Sequence, residues 1–295
     1  MANVGFIGLG AMGTAIVERL LMAKKHTVIG WNRTRSKADK LIEAGMKWAD
    51  SPRAVAEAAD VVFSMVFDDH ALRAIVTGPD GVLAGLEPGK IYADMSTVSP
   101  EVVRELVQQA AEKGIQMLDS PVSGSPVTVR QGNLTFMVGG DRSAFEKIEP
   151  ILLDIGPKAT YMGESGNASV MKICLNLNIP VQLLAMFESL LLAEKNGIDP
   201  KIALEVTLNS AVVSPAMKYR GPFFLELPEE PLFNLTGQRK DLMMALEMGH
   251  KSDVALPTAA ATYQIMAATG AAGLADEDFG AFIKVLARMA GLSRD

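Results

Sequence analysis

Gly8-Leu9-Gly10-Ala11-Met12-Gly13 follows the apolar run Val4–Gly8 and opens the helical pattern Ala11–Ala23. Each glycine of this GxGxxG spacing has its own physical task. The first makes a tight turn, the second lets a pyrophosphate approach the backbone, and the third lets the helix pack on the strand. The helix start adds N–H groups and positive partial charge that suit phosphate. Six residues alone are weak evidence, since a plain structural turn can carry them. The strand–turn–helix setting makes them a dinucleotide-binding fingerprint, so Gly8, Leu9, Gly10, Ala11, Met12 and Gly13 are assigned to a cofactor.

Outward from this turn, short apolar runs alternate with helical patterns. Thr27–Trp31, Val61–Val66, Lys90–Asp94, Gln116–Asp119, Leu134–Val138 and Ala159–Met162 read as strands. Arg35–Ala44, Pro52–Ala58 and Pro100–Lys113 read as helices. Such alternation implies βαβ units in a doubly wound, Rossmann-type parallel sheet, ending near Met162. Met65 and Val66, at a strand end, are assigned to the cofactor as well.

The second half changes character. Asn167 to about Glu194 is a nearly continuous helical pattern, with Gly197 as its stop. Pro200–Asn209, Lys240–Lys251 and two Ala-rich stretches follow, and Pro215, Gly221, Pro222, Pro228 and Pro231 mark a loop region between them. The expected layout is a dinucleotide-binding domain over 1–163 and an all-α domain over 164–295.

The chain has 295 residues, 49% hydrophobic and 21% charged, enough for a sizeable core. A net charge of −6 argues against a nucleic-acid surface but not against a small anionic ligand. One cysteine, Cys174, excludes a disulfide framework and a Cys-rich zinc site within the chain, and no metal is expected. The N-terminus lacks a signal-peptide layout. No stretch reads as long and apolar enough to span a bilayer, because Asn176, Asn178, Pro180, Gln182 and Glu188 interrupt the best candidate. The expectation is a cytoplasmic protein with no membrane partner. The apolar, Met-rich second half suggests a homodimer or homotetramer.

The end of the second strand bears on which dinucleotide binds. An NAD site places a carboxylate there for the ribose diol. This chain has Trp31-Asn32-Arg33-Thr34. Asn32 can hydrogen-bond ribose, and Arg33 and Thr34 can contact a 2′-phosphate, which favours NADP over NAD. Arg35 and Lys37 read equally well as solvated charges.

Reduction of a carbonyl needs a group that gives its oxygen a proton. His26, His70 and His250 read as surface residues, and no tyrosine has a lysine four residues later. Lys172 remains, with Asn176 one helical turn on. Among apolar neighbours a lysine loses hydration and becomes able to exchange a proton. Asp119-Ser-Pro-Val-Ser123-Gly124-Ser125-Pro126 is a loop whose N–H and hydroxyl groups suit a carboxylate, though alone it reads as a turn. Thr97 either touches nicotinamide and substrate or caps the helix from Pro100. Lys240-Asp241 begins a helix and adds charge, or merely ends one in solvent.

Together these motifs resemble the β-hydroxyacid dehydrogenase family across essentially the whole chain. The cofactor turn at 8–13, the loop Asp119–Gly124, the stretch Gly166–Lys172–Asn176 and Lys240-Asp241-Leu242 all match in order. The resemblance implies Lys172 as catalytic, with Ser123, Gly124 and Asn176 on substrate and Thr97 and Lys240 by the nicotinamide. Trp31–Thr34 and Gly163–Asn167 look most like the NADPH-using glyoxylate/succinic semialdehyde reductase branch, which implies Phe233 and Asp241 in the pocket too. Two positions depart. Ser125, also taken as a substrate contact, stands before Pro126 where a second glycine is common, and Ala168 replaces another glycine. Ser125 and Pro126 are expected to narrow or reshape the carboxylate site, and both changes bear on which substrate fits rather than on the chemistry. The expected activity interconverts a small aldehyde acid and its hydroxyacid. Hydroxyisobutyrate or tartronate semialdehyde chemistry, imine reduction and non-catalytic cofactor binding are the alternatives.

Overall fold

The computed structural model describes residues 2–294. The chain divides into two compact units, the first ending at Lys172 and the second beginning at Ile173.

The first unit is built on strands β1 (Ala2–Ile7), β2 (His26–Trp31), β3 (Lys47–Trp48), β4 (Val61–Ser64), β5 (Ile91–Asp94) and β6 (Gln116–Asp119). They form one six-stranded sheet in the order β3-β2-β1-β4-β5-β6, with every pair parallel. Helices α1 (Ala11–Ala23), α2 (Asp39–Glu43), α3 (Pro52–Ala58), α4 (Asp69–Thr77), α5 (Val82–Gly85) and α6 (Pro100–Ala111) connect the strands. Neighbouring strand residues turn to opposite faces. Val4, Phe6, Phe63, Ala93 and Leu118 join one buried cluster, while Ile7, Val62, Tyr92 and Met117 join another. Burial on both faces is why these strands read as unbroken apolar runs.

The last strands do not join that sheet. β7 (Val122–Ser123), β8 (Thr135–Val138) and β9 (Lys158–Tyr161) form a separate three-stranded sheet, antiparallel between β7 and β8, although β8 and β9 are parallel to each other. An isolated antiparallel pairing of Asp119 with Gly139 lies between the two sheets. Helices α7 (Pro126–Arg130) and α8 (Arg142–Ile155) complete this part. The helix expected over Arg35–Ala44 is instead a 3-10 turn, Arg35–Ala38, followed by the short α2.

The second unit is all helical among its described residues. It holds most of α9 (Asn167–Lys195), then α10 (Pro200–Leu208), α11 (Pro215–Arg220), α12 (Leu235–Lys251), α13 (Pro257–Ala271) and α14 (Phe282–Met289). Three expectations are corrected here. Part of the proline-marked loop is α11, because Pro215 sits at a helix start capped by Ser214. α12 starts at Leu235 because the Asn234 side chain accepts from Gly237 N–H at 2.9 Å, so Lys240 and Asp241 lie in the second turn. Finally, the 29-residue α9 is long and apolar enough, by length and composition, to cross a membrane. Its Leu183, Phe187 and Leu190 are fully buried in the unit's own core, as in the central helix of a globular domain.

Candidate active site

The C-terminal ends of β1, β4, β5 and β6 lie side by side in the first unit, the edge where open α/β sheets bind ligands. The turn after β1 has the geometry its glycines promise. Gly8 has φ +97°, and a Cβ there would overlap the Met65 carbonyl oxygen. A Cβ on Gly13 would overlap the Gly8 carbonyl oxygen, whereas one on Gly10 would meet nothing within 4 Å. The two closed positions hold the turn and the open one faces free space. α1 begins at Gly10 with no side-chain cap, so its first N–H groups can serve a phosphate. These features fit a dinucleotide pyrophosphate.

An opening of about 360 Å³ adjoins the turn, bordered by Gly10, Thr14, Ser36, Lys37, Lys40 and Arg130, with Leu9 and Ala11. Three cations on an acidic chain converge there. Lys40 lies a further turn along from Lys37, and Arg130 comes from α7, distant in sequence, with its Nε paired to Glu18 at 3.0 Å. Arg33 and Thr34 are exposed in the turn that leads from β2 to Arg35. Arg35 is turned elsewhere, stacked 5.0 Å above the Trp48 ring. Asn32 does a structural job: its Oδ1 accepts from Leu9 N–H at 2.9 Å and its Nδ2 donates to the Thr34 carbonyl at 2.8 Å.

Met65 and Val66 follow β4, half-buried, and Thr97 follows β5. Ser96 Oγ accepts from Val66 N–H at 2.8 Å and so ties the two turns. After β6, Ser123 is half-buried and Gly124 exposed with φ +148°. The Ser125 hydroxyl accepts from Thr128 N–H at 3.3 Å and caps α7, with Pro126 in the first turn.

Asp119 fixes the start of α9. Its Oδ1 accepts from Gly166 N–H and its Oδ2 from Ser169 N–H, both at 2.9 Å, and the Ser169 hydroxyl adds a bond at 3.2 Å. Ala168 is fully buried in that first turn. Lys172 follows, half-buried. In the second unit Asn176 Nδ2 donates to Asp241 Oδ2 at 2.6 Å, and Lys240 Nζ lies 2.9 Å from Asp241 Oδ1. Pro180 has no N–H for the Asn176 carbonyl four residues back. Gln238 Nε2 donates to that carbonyl instead, at 3.3 Å. Phe233 is half-buried against Gly237, in a segment held by Asp278, whose carboxylate accepts from the Leu232 and Phe233 N–H groups and pairs with buried Arg220 at 2.8 Å. Gln238 and Asp278 escaped the sequence reading because nothing in the chain pairs them with their partners. Of the histidines, His70 and His250 are exposed and His26 pairs with Asp154 at 3.0 Å. Among the described residues no group of three or more His, Cys, Asp or Glu is placed to hold a metal.

Residues 3–163 match the family described as the NAD binding domain of 6-phosphogluconate dehydrogenase. Residues 166–286 match that described as the NAD-binding of NADP-dependent 3-hydroxyisobutyrate dehydrogenase. The chain is 34% identical to glyoxylate/succinic semialdehyde reductase 1 of Arabidopsis thaliana, over 96% of this chain and 98% of the relative. It is 35% identical to 2-(hydroxymethyl)glutarate dehydrogenase of Eubacterium barkeri, over 99% and 97%. A solved structure of Psf3 in complex with NADP+ and 2-OPP superposes with TM-score 0.88 at 31% identity, covering 96% of this chain and 99% of that one.

Proposed function

From a chain that belongs to the β-hydroxyacid dehydrogenase family of NAD(P)-dependent oxidoreductases, we propose an NADPH-dependent reductase of a small aldehyde acid such as glyoxylate or succinic semialdehyde. The observation that carries this reading is the start of α9. Three hydrogen bonds to one buried carboxylate fix its first turn, and Lys172 and then Asn176 follow on that fixed helix. A proton donor held in place is what carbonyl reduction requires of the protein. The Arabidopsis relative is named for glyoxylate and succinic semialdehyde and the Eubacterium relative for 2-(hydroxymethyl)glutarate, all of which carry a carboxylate.

When bound, NADPH supplies a hydride to the carbonyl carbon. Lys172 Nζ then gives its proton to the carbonyl oxygen and recovers one from solvent. The Ser123 hydroxyl and the loop at Gly124 hold the substrate carboxylate. In the second unit, Asp241 holds the Asn176 amide in one orientation for the substrate hydroxyl. Preference for NADP over NAD is supported by Lys37, Lys40 and Arg130 at the cofactor turn, and by exposed Arg33 and Thr34 in the sequence just after β2. An acidic side chain is missing where NAD would want one.

Steady-state oxidation of NADPH and of NADH, with glyoxylate, succinic semialdehyde and tartronate semialdehyde as acceptors, tests this. NADPH turnover on at least one is expected, and Lys172→Ala should lower kcat by about 10²–10⁴ while cofactor binding persists. No turnover on any aldehyde acid, with Lys172→Ala indistinguishable from wild type, overturns it. Assembly into a homodimer or homotetramer is part of the same proposal, supported by exposed Leu192, Ile202, Val206, Val212 and Met289 in the second unit. A monomer mass by light scattering would remove that part.

A further inference from the structure

Asp94, the last residue of β5, is 1% exposed. Its Oδ1 accepts from the Ser64 hydroxyl at 2.6 Å and from the Ser96 hydroxyl at 2.7 Å. Ser64 lies at the end of β4 and Ser96 in the turn after β5. Because the Ser64 proton goes to Asp94, Tyr92 donates its own to Ser64 Oγ at 2.6 Å. Ser96 in turn receives Val66 N–H. A single carboxylate oxygen thus orders two adjacent strand ends. The surroundings do not favour a charge there. Among the described residues no cation faces the carboxyl: its partners are two serine hydroxyls and the Ser96 N–H, Asp119 stands opposite on β6, and Asp94 Oδ2 and Ser120 Oγ are buried with no hydrogen-bond partner. Burial pushes the carboxyl up to about 6, against the opposing effect of the two serine hydrogen bonds. An apolar residue would satisfy the sheet better, as Ile91 and Ala93 do on the same strand.

We propose that Asp94 is a positioning residue for the nicotinamide end of the cofactor: through Ser64 and Ser96 it fixes the turns at Met65–Val66 and Ser96–Thr97. The inference rests on the reading that this sheet edge binds the dinucleotide. Asp94 touches no reacting atom. Its hydrogen bonds reach only the turns it holds, so the nicotinamide half of the ligand depends on it directly and the adenosine half, at the Gly8–Gly13 turn, only through packing against Met65.

Two probes separate these halves. NADPH spans both, whereas adenosine 2′,5′-bisphosphate lacks the nicotinamide. Dissociation constants of both are measured for the wild type, Asp94→Ala, Asp94→Asn and Ser96→Ala, with thermal midpoints recorded in parallel. Asp94→Ala and Ser96→Ala should weaken NADPH about tenfold, the loss of roughly one well-made hydrogen bond, and leave the bisphosphate within twofold. Asp94→Asn keeps an acceptor oxygen for both serines and should restore NADPH affinity to within threefold. Equal weakening of both probes, or no weakening of either, overturns the inference. If Asp94→Ala does not fold, Ser96→Ala and Asp94→Asn still decide it. Failure of the wild type to bind either probe would instead overturn the dinucleotide reading itself.

Discussion

At the scale of single residues, a buried carboxyl without a cation leaves a mark on stability. The Asp94 carboxyl rises from its ordinary 3.8 to about 6 in the fold, chiefly because burial removes its hydration. Between those values the native state binds more protons than the unfolded chain, so stability falls as pH rises from about 4 to 6. Above pH 7 this amounts to roughly 3 kcal/mol of destabilisation. Asp94→Asn cannot ionise. In urea unfolding it should match the wild type closely near pH 4 and gain on it steadily to pH 7, so a stability difference flat with pH would contradict this. The same scale shows why short polar side chains are ambiguous in a sequence. Asn32 and Ser125 look like contacts to ribose and carboxylate, and in the fold one also ties its own turn and the other caps a helix. Short polar side chains serve both purposes equally well, and spacing does not separate them. The glycines at 8 and 13 were legible because the backbone leaves no room for a side chain at either, while Gly10 keeps open the space a ligand would approach.

At the scale of elements, the start of α9 is held by a side chain from outside the helix, Asp119. Asp119→Ala removes acceptors for two backbone N–H groups and the Ser169 hydroxyl. About 2–4 kcal/mol of stability should be lost, seen as a lower denaturant midpoint with an unchanged slope. Asp119→Asn, which keeps one acceptor, should lose less. The carboxylate comes from β6, 50 residues before Ser169, so no local pattern announces it. Other elements were missed for local reasons. α8 is amphipathic and capped by Asp141, with Phe145, Ile148, Leu152 and Ile155 buried on one face, but Pro150 in its interior reads as a breaker. α4 and α11 are short and take their stability from packing, which composition does not reveal. The long strands and helices were legible because their apolar periods are consistent over many residues.

At the scale of the whole molecule, net charge and local charge point in opposite directions. The chain carries −6 overall, yet three cations border the cofactor turn. Raising ionic strength from about 0.05 to 0.5 M should therefore weaken NADPH several-fold more than NADH, which lacks the 2′-phosphate. Equal salt sensitivity would mean that the cations do not read that phosphate. In the second unit, Arg220 and Asp278 form an ion pair buried on both sides. Asp278→Ala leaves a buried guanidinium alone and should destabilise by about 3–5 kcal/mol, measured by thermal unfolding. It also frees the N–H groups that hold Phe233, so KM should rise before kcat falls in whatever protein remains folded. Gln238, by contrast, answers a defect. Pro180 leaves the Asn176 carbonyl bare inside α9, and one side chain of α12 covers it. That makes the proline an index mark between two helices far apart in the chain. Deleting a single residue between Asn176 and Pro180 would rotate one relative to the other by about 100°, and the bare carbonyl would no longer face its donor. Chain length in this short stretch is therefore far less free to drift than in the loops on either side of it.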